Sequence, residues 1–362
     1  MKSLNLIKRR QALRLSAGTP KAHLPAQRQQ AMSKALPILQ LKRRSKGPQQ
    51  QAGVALIAVL LVMSVVVAVI ADMALSHRSA IAQTTNILNG RQAWHYGLGA
   101  ETLAAQLLAG DWENPATREQ DNLNEQWARL DGGFPTDFGT VQMRIRDINR
   151  HFNVNNLVDD NGSMSTLHYD QLKRMFYELN VDERIAEQLL DWVDADIQSV
   201  GGGDEASFYA SVHYLPANHK MIDKSEIRLL QEFSSEELLA IEPLFTVAPE
   251  KTRVNINTAT PEVLRSLVKD IVESDISLIQ SEQQRSGYAS VQSFLETPEG
   301  AAFDGVSSEL TVVSDYFEVL ARVNYDTSYI VLQSLLKRDY SDGKITVVRR
   351  QLWPADALDE EF

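Results

Sequence analysis

Apolar residues are most concentrated between residues 52 and 71, where 20 consecutive residues, AGVALIAVLLVMSVVVAVIA, carry no charge. A helix of this length, at about 1.5 Å per residue, spans the roughly 30 Å hydrocarbon core of a bilayer. A buried core helix seldom runs this far without a polar face. The pattern therefore predicts a transmembrane helix over residues 54–71. A cleaved signal peptide is the alternative, with ALSHRSA as its cleavage region and a cut after Ala80.

The helical pattern continues beyond the apolar segment. Between Ile81 and Leu108 the apolar residues recur mostly at three- and four-residue spacing, and neither Gly nor Pro follows Asp72 before Gly90. We expect one continuous helix from about Val54 to about Leu108, in which residues 72–110 form an amphipathic stalk.

Alternating patterns predict a small antiparallel sheet formed from two distant parts of the chain. In GTVQMRIRDI, residues Val141, Met143 and Ile145 share one face, which indicates a first strand after the breaker-rich segments GDWENPATREQDNLNEQW and LDGGFPTDFG. The segments YFEVLARVNY, SYIVLQSLLKR and KITVVRRQLW predict a three-stranded meander near the C-terminus. Gly343 lies in the second turn, where a positive φ is useful.

Helical patterns fill the region between the first strand and the meander. Several of these segments, such as STLHYDQLKRMFYELN and SSEELLAIEPLF, begin with Ser, Thr or Asp caps. The predicted fold class is α+β, with a long N-terminal transmembrane and stalk helix, a small antiparallel sheet, and a large all-helical domain inserted between the first strand and the C-terminal meander.

Charge divides the chain into a basic N-terminal segment and an acidic body. Residues 1–53 contain 12 of the 36 Lys and Arg residues and none of the 47 Asp and Glu residues. This asymmetry predicts a cytoplasmic N-terminus and an exported body, and the acidic body argues against a nucleic-acid partner. The chain has no Cys, which excludes thiol catalysis and Cys-based zinc sites.

The segment AGVALIAVLLVMSVVVAVIADM resembles the N-terminus of type IV pilin-like proteins. The resemblance implies that prepilin peptidase cuts after Gly53 and leaves Val54 as the mature N-terminus. Most members have Glu as the fifth mature residue, whereas this chain has Ala58. The large minor pseudopilin of type II secretion systems, the K type, lacks that Glu. RHFNVNNLV and HYLPANHKMIDKSEIRLL are similar to the same family.

This resemblance implies a non-enzymatic subunit, anchored by one span in the bacterial inner membrane with its body in the periplasm. Such a subunit caps the tip of the pseudopilus and helps to initiate its assembly for the export of folded proteins. The implied partners are other minor pseudopilins, prepilin peptidase, the secretin and secreted substrates. The alternative, drawn from a different class, is a membrane-anchored periplasmic calcium- or ligand-binding module outside any fibre.

The same resemblance implies that the fold is a pilin-like α/β domain with an insertion. A leader of 53 residues is long for a pilin-like protein, and translation from Met32 would give a more usual one. The expected boundaries are 1–53 for the leader, 54–71 for the transmembrane helix, 72–110 for the stalk, 111–149 with 312–354 for the pilin-like domain, 150–311 for the inserted helical domain, and 355–362 for an acidic tail.

One acidic segment, DWVDADIQSVGGGDEASFY, is the candidate metal site. Asp194, Asp196, Asp204 and Glu205 flank a run of three glycines, and a flexible loop with carboxylate oxygens suits Ca²⁺. The secondary candidates are Asp191, Asn218 and Asp223. The alternative is that these acids are only solvated at a helix end. The resemblance supports calcium, because K-type pseudopilins bind calcium in their helical region.

Three other motifs predict structure rather than chemistry. DDNGS at residues 159–163 predicts a turn, and Asn153, Asn155 and Asn156 predict a tight turn with locally satisfied backbone groups. Residues 252–296 open like a helix-hairpin-helix module. Their connection, VKDIVESD, is acidic and lacks the glycines that bind phosphate, so we interpret the module as a degenerate, protein-packing unit.

No motif for catalysis is present in the sequence. It contains no GxSxG, HExxH or Walker motif, and its seven histidines are not paired at metal-ligand spacing. An exported nuclease built on the hairpin module would need a basic surface, which the acidic body opposes. We therefore expect no catalytic residues.

Overall fold

The computed structural model describes residues 52–130, 132–199, 209, 214–230 and 233–353. The described residues fall into two compact units, which divide between Ile70 and Ala71.

The first element is a single long helix, α1 (Ala52–Glu113). It contains an 18-residue window with a mean hydropathy of 3.2, none of which is buried. Apolar side chains such as Val54, Leu60 and Ile70 are therefore exposed along this segment. The prediction of one continuous helix through residues 54–108 is confirmed, and its apolar part is long enough to cross a membrane.

The C-terminal part of α1 packs on a sheet through a stripe of small residues. Ala93, Gly97, Ala100 and Ala104 recur at three- and four-residue spacing and are buried, and Leu108 continues the stripe. A Cβ atom at Gly97 would lie 3.3 Å from Cδ2 of Leu332 in the sheet. The small side chains thus allow the helix backbone to approach the strands closely.

Among the described residues, five strands form the main sheet: β1 (Gly132–Thr136), β2 (Gly139–Asp147), β7 (Tyr316–Tyr325), β8 (Ser328–Arg338) and β9 (Ile345–Trp353). They are all antiparallel and lie in the order β1-β2-β7-β8-β9. The predicted first strand is β2, and the predicted meander is β7 to β9. Gly343 in the last turn has a φ of +73°, as its position predicted, and a Cβ there would clash with Trp112.

Strand β1 corrects the interpretation of LDGGFPTDFG as irregular. Residues Gly132–Thr136 pair antiparallel with β2 at the edge of the sheet. The sequence does not predict this strand, because it contains two glycines and Pro135, and Gly and Pro are depleted in strand interiors. An edge strand tolerates Pro, since it has a neighbour on one side only.

The insertion begins and ends at adjacent strand positions, because Asp147 of β2 is the register partner of Phe317 of β7. Most of the described insertion is helical. Its α-helices are α2 (Thr166–Leu179), α3 (Arg184–Val193), α4 (Ser235–Ile241), α5 (Pro261–Leu267), α6 (Glu273–Arg285) and α7 (Val291–Leu295). Its 3₁₀ helices are Val154–Leu157, Lys224–Leu229, Glu242–Leu244 and Ala301–Glu309.

Two very short parallel pairs interrupt this helical region. They join β3 (Phe152–Asn153) to β4 (Phe245–Thr246) and β5 (Val254–Asn255) to β6 (Leu310–Thr311). A large apolar core that includes Leu172, Leu189 and Phe294 lies within the insertion, and a second core that includes Trp127 and Phe317 lies between α1 and the sheet.

A buried hydrogen-bond network joins the insertion to the sheet. Asn255 donates through Nδ2 to Oδ2 of Asp147 at 3.2 Å, to Oγ of Ser314 at 2.9 Å and to the carbonyl of Asp121 at 3.1 Å. Ser314 and Thr258 also donate their hydroxyls to Oδ2 of Asp147, at 2.7 and 2.5 Å. Burial raises the pKa of Asp147, and these hydrogen bonds oppose that effect.

The asparagines of NVNN have long-range roles, which corrects the prediction of a locally satisfied turn. Asn155 donates to the carbonyls of Met221 and Ala248 at 2.9 and 2.8 Å and accepts from the amide of Met221 at 2.7 Å. The backbone amide of Asn155 donates a hydrogen bond to Oδ1 of Asn153 at 3.2 Å, and this contact is local, as predicted. The side chains therefore connect the 3₁₀ helix Val154–Leu157 to segments far away in sequence.

The turn predicted at DDNGS is confirmed. Oδ1 of Asp159 accepts hydrogen bonds from the amides of Asn161 and Ser163 at 2.8 and 2.9 Å, and Gly162 has a φ of +79°.

Candidate functional site

The predicted processing site lies in the first turn of α1. Gly53 has no atom within 4 Å of where a Cβ would be, and Val54 is 68 % exposed. Ala58 follows one helical turn later, where a Glu would otherwise be expected from the family pattern. This arrangement leaves the peptide bond after Gly53 sterically accessible in the described part of the chain.

Asp194 is the central residue of the candidate metal site. It terminates α3, where its amide donates to the carbonyl of Leu190 at 2.9 Å. Its side chain is buried, and its Oδ1 has no hydrogen-bond partner among the described residues. Burial, followed by repulsion from Asp196 and Asp191, raises its pKa to about 7.

Three of the other candidate ligands lie close to Asp194. Asp191 lies one helical turn earlier in α3 and is also buried. Asp196 is exposed, and its Oδ1 accepts from the amide of Gln198 at 2.7 Å. Asn218 donates its side-chain amide to the carbonyl of Asp196 and has a φ of +49°. The chain thus brings oxygen-bearing side chains from two separate segments to the end of α3.

The remaining candidates differ in their placement. Asp204 and Glu205 lie outside the described residues, as do Gly201, Gly202 and Gly203. Asp223 caps the 3₁₀ helix Lys224–Leu229 by accepting from the amide of Ser225 at 2.9 Å, and it pairs with Arg349 at 3.2 Å. The pKa of Asp223 is lowered although burial raises it, because these hydrogen bonds and Arg349 stabilise the carboxylate. Its charge is therefore already balanced within the fold.

The end of α3 suits a hard cation. A desolvated carboxylate with a partnerless oxygen, beside two further carboxylates, is destabilised in its ionised form. A divalent cation bound by these oxygens would remove that cost, and carboxylate and carbonyl oxygens are the ligands Ca²⁺ prefers.

A second group of acids was missed in the sequence. Each of Asp111, Asp121 and Glu125 has a carboxylate oxygen within 4.8 Å of the other two. Among the described residues, these three acids form a group that could hold a metal ion. Their sequence spacing matches no metal-binding pattern, and the cation beside them, Arg338, comes from β8. Only the folded chain brings these four side chains together.

Two histidines of the insertion, His151 and the buried His168, have structural surroundings. Nε2 of His168 lies 3.3 Å from Oε2 of Glu309, and Lys251 pairs with the other oxygen of Glu309 at 2.9 Å. Burial lowers the pKa of His151 well below its ordinary value. Nδ1 of His168 lies 2.8 Å from Oγ of Ser165, so a polar atom lies next to each ring nitrogen.

The segment expected to form a degenerate helix-hairpin-helix contains α5, α6 and α7. The connection from α5 to α6 has no glycine, and Asp270 adopts a φ of +61° there. The hairpin interpretation stays a prediction.

Comparison with known proteins identifies relatives over most of the chain. The family described as "Type II secretion system (T2SS), protein K" matches residues 150–250, and a second family model of the same description matches residues 254–314. Type II secretion system protein K of Pseudomonas aeruginosa is 35 % identical over 315 residues, covering 83 % of this chain and 93 % of that protein. The Aeromonas hydrophila protein of the same name is 28 % identical, covering 83 % of this chain and 97 % of that protein.

A solved structure has the same architecture. A chain of the GspK-GspI-GspJ complex from the type 2 secretion system of enterotoxigenic Escherichia coli superposes with a TM-score of 0.67 at 26 % identity. The match covers 75 % of this chain and 99 % of that one. Together with the membrane-length helix and the helical insertion in the sheet, these similarities show that the chain belongs to the type II secretion system protein K family.

Proposed function

We propose that this protein is a minor pseudopilin that caps the tip of the type II secretion pseudopilus and helps to initiate its assembly. The observation that carries the proposal is the combination of an exposed, membrane-length apolar helix with a helical insertion between two paired strands. The first feature suits a subunit that moves from the bilayer into a helical fibre. The second suits a subunit with nothing stacked above it.

The exposed part of α1 supports assembly with other helices. Within the second compact unit, Leu75, Ile81 and Leu88 are each more than half exposed. Apolar side chains in this position gain free energy when another helix covers them, at about 25 cal/mol per Å² of apolar surface. A fibre built from parallel pilin-like helices provides that cover.

The insertion supports a position at the tip. It occupies most of the chain between β2 and β7, and its own apolar core is larger than the core beneath the sheet. A domain of this bulk on the exported body would obstruct a subunit added above it. Ala58 agrees with this position, because a subunit without a neighbour above does not need the charged fifth residue found in most pilin-like proteins.

The expected partners follow from the relatives. The similar Escherichia coli chain is part of a complex with GspI and GspJ. We therefore expect this protein to bind the corresponding minor pseudopilins of its own system, to be cut by prepilin peptidase, and to contact the secretin or secreted substrates through the insertion. Its role is structural rather than enzymatic, and nucleic acid is not among its expected partners.

The orientation and the metal are part of the same proposal. The apolar helix holds the protein in the inner membrane, with residues 1–53 in the cytoplasm and the body in the periplasm. Calcium would be held by Asp194 and Asp196, with Asp191 and Asn218 beside them and with Asp204 and Glu205 as further ligands. It would neutralise the buried carboxylate at the end of α3 and so stabilise that part of the insertion.

The mature N-terminus provides the first test. Intact mass and N-terminal sequencing of the protein from membranes, with and without prepilin peptidase, should show a peptidase-dependent start at Val54. A chain that keeps its leader in both strains would indicate a fixed anchor and favour the calcium- or ligand-binding module. A cut after Ala80 would identify the apolar segment as a signal peptide. Gly53→Leu should block the cut, whereas Gly90→Leu in the same helix should not.

The tip position needs a separate test. A gold label attached to the insertion should mark one end of isolated fibres. Labels distributed along the length of the fibre would contradict a cap while leaving the assignment as a pseudopilin intact.

A further inference from the structure

The cluster formed by Asp111, Asp121 and Glu125 lies at the junction between α1, the sheet and the insertion. Asp111 is in the last turn of α1, and the other two residues are in the loop that follows. This loop contacts the segment that leads from the insertion into β7. The amide of Asp121 donates to the carbonyl of Val312 at 2.7 Å, and its carboxylate accepts from the amide of Ser314 at 2.6 Å. Any group bound there therefore joins three parts of the fold.

The charges within the cluster do not balance. Arg338 pairs with two of the three carboxylates, Asp111 at 3.2 Å and Asp121, so the cluster has one guanidinium for three carboxylates. The side chain of Asp121 is 1 % exposed, and that of Asp111 is 10 % exposed. If all three carboxylates are ionised, two negative charges remain without a counter-charge at a site that water barely reaches.

A partnerless oxygen points to a missing positive group. Oδ1 of Asp121 is buried and receives no hydrogen bond from any described residue, although Oδ2 of the same carboxylate is fully engaged. Buried acceptors without partners are rare, because leaving one unsatisfied costs the free energy of removing it from water. The oxygen belongs to one of the three clustered acids, so a cation shared with Asp111 and Glu125 would satisfy it.

The distances are compatible with calcium. Ca²⁺ binds oxygens at about 2.3–2.6 Å, so two of its ligands lie at most about 5 Å apart. The three carboxylate oxygens here lie within 4.8 Å of one another. Mg²⁺, with bonds of about 2.0–2.1 Å, requires a smaller ligand shell and dehydrates reluctantly.

We propose that Asp111, Asp121 and Glu125 bind one calcium ion at the junction of α1, the sheet and the insertion, separate from the site at Asp194. The ion supplies the two positive charges that Arg338 leaves unmatched. It also fixes the loop between α1 and β1 against the sheet. This site uses pilin-domain residues and does not depend on the function proposed above.

Protons are the competing occupants of the cluster. Without a cation, burial and repulsion from Asp111 and Asp121 raise the pKa of Glu125 to about 9, and burial raises the pKa of Asp121 to about 7 despite Arg338. Calcium must therefore displace protons, and its affinity should rise with pH. A cluster neutralised by protons alone would show no calcium binding at these residues.

Trp127 provides a local probe. Its Nε1 donates to Oε2 of Glu125 at 2.5 Å, so the indole lies next to the proposed ion. Tb³⁺ replaces Ca²⁺ in oxygen sites and luminesces when a nearby indole is excited. Trp192, two residues before Asp194 in α3, provides the same probe for the other candidate site.

The experiment uses the full chain in detergent after removal of metal with a chelator. Terbium luminescence under indole excitation should have one component that Trp127→Phe removes and Trp192→Phe leaves, and Ca²⁺ should quench it by displacement. Equilibrium dialysis with radioactive calcium at ~1 mM free ion, the range of weak extracellular sites, should show that Glu125→Gln binds one calcium fewer than wild type. Asp194→Asn should leave the Trp127 component unchanged.

Equal calcium counts in wild type and Glu125→Gln, with no terbium signal dependent on Trp127, would overturn the proposal. If Glu125→Gln does not fold, Asp111→Asn serves instead, because its amide oxygen can still accept from Arg338. Loss of one calcium in Asp194→Asn alone would support the other site and contradict this one. Processing at Val54 is unaffected by either result, so the two proposals fail independently.

Discussion

At the residue scale, hydrogen bonds from buried polar side chains link segments of the insertion that lie far apart in sequence. Asn155 and Asn255 are each about 1 % exposed or less, yet each makes three hydrogen bonds to segments far away in sequence. An amide side chain carries both donors and an acceptor, so it can satisfy backbone groups where two irregular segments meet. The short helices of the insertion depend on such contacts.

Asn155→Ala should destabilise the protein by about 2–4 kcal/mol. The substitution leaves the carbonyls of Met221 and Ala248 and the amide of Met221 without their partner, and unsatisfied buried groups cost about 1–3 kcal/mol each before relaxation. Urea unfolding in detergent measures the change. Gln284→Ala, an exposed substitution in α6, is the control and should change the free energy of unfolding by less than about 0.5 kcal/mol. Equal effects would show that the asparagine network contributes nothing.

These residues also show where the sequence stops being informative. NVNN predicts a turn because Asn favours turns, and the turn forms, but its side-chain amides also donate to carbonyls that are 66 to 97 residues away. The acidic cluster at Asp111 has the same origin, since Arg338 lies 217 residues beyond Asp121. Spacing rules describe neighbours along one element, and they do not apply to contacts created by chain folding.

At the element scale, hydrophobic periodicity predicts the long elements well and the short edge elements poorly. The pattern from Val54 to Leu108 predicts α1, and alternation predicts β2 and β7 to β9, because each of these elements has one face or one segment in contact with apolar surroundings. Strand β1 has no such alternation, and its residues are mostly exposed. Pairing with β2 determines its conformation.

The contact between α1 and the sheet leads to a prediction at one glycine. Gly97→Leu should destabilise the protein by about 1–3 kcal/mol, because a Cβ there already lies 3.3 Å from Leu332 and a larger side chain would separate the helix from the sheet. Gly99→Leu is the matched control. It lies two residues along the same helix, exposed and with nothing within 4 Å, so it should stabilise α1 by up to about 1 kcal/mol. Thermal unfolding of both variants measures the difference, and equal shifts would contradict close packing at Gly97.

The ion pair between two helical segments gives a pH prediction. His168 of α2, then Lys251, lower the pKa of Glu309 from 4.5 to about 2, despite its burial at the end of the 3₁₀ helix Ala301–Glu309. A carboxyl whose pKa is lower in the folded state stabilises the fold above its unfolded pKa. This contribution is lost as pH falls from about 4.5 towards 2, because the unfolded chain then binds more protons.

Glu309→Gln should therefore flatten the dependence of unfolding free energy on pH between pH 5 and pH 2. The largest contribution to be lost is about 3 kcal/mol, from a pKa shift of about 2.5 units. Urea unfolding at several pH values in this range measures the slope for both proteins. An unchanged slope in the variant would assign the acid sensitivity to other carboxylates.

At the scale of the whole molecule, the residues from Ala71 onward form one compact unit, which contains both the sheet and the insertion. Both strands at the insertion boundary lead directly into the network around Asp147, where Asn255 and Ser314 bind the same carboxylate. Such a connection couples the insertion to the sheet and to the C-terminal part of α1 that packs on the sheet. The charge asymmetry between residues 1–53 and the body belongs to this scale too, since it concerns orientation across a membrane rather than any contact.

Continuity of this kind predicts that the sheet and the insertion unfold together, and that Asn255→Ala separates them. Trp127 lies in the core beneath the sheet and Trp192 in the core of the insertion, so fluorine NMR of 5-fluorotryptophan-labelled protein reports on both parts during urea unfolding. In wild type the two signals should lose their native positions at one urea concentration.

In Asn255→Ala, Ser314 and the carbonyl of Asp121 lose their donor, and the Trp192 transition should move to lower urea than the Trp127 transition. Asn161→Ala, in an exposed turn of the insertion, should keep the transitions coincident. Separate transitions in wild type would show that the insertion is an independent domain, and coincident transitions in Asn255→Ala would place the coupling elsewhere in the junction.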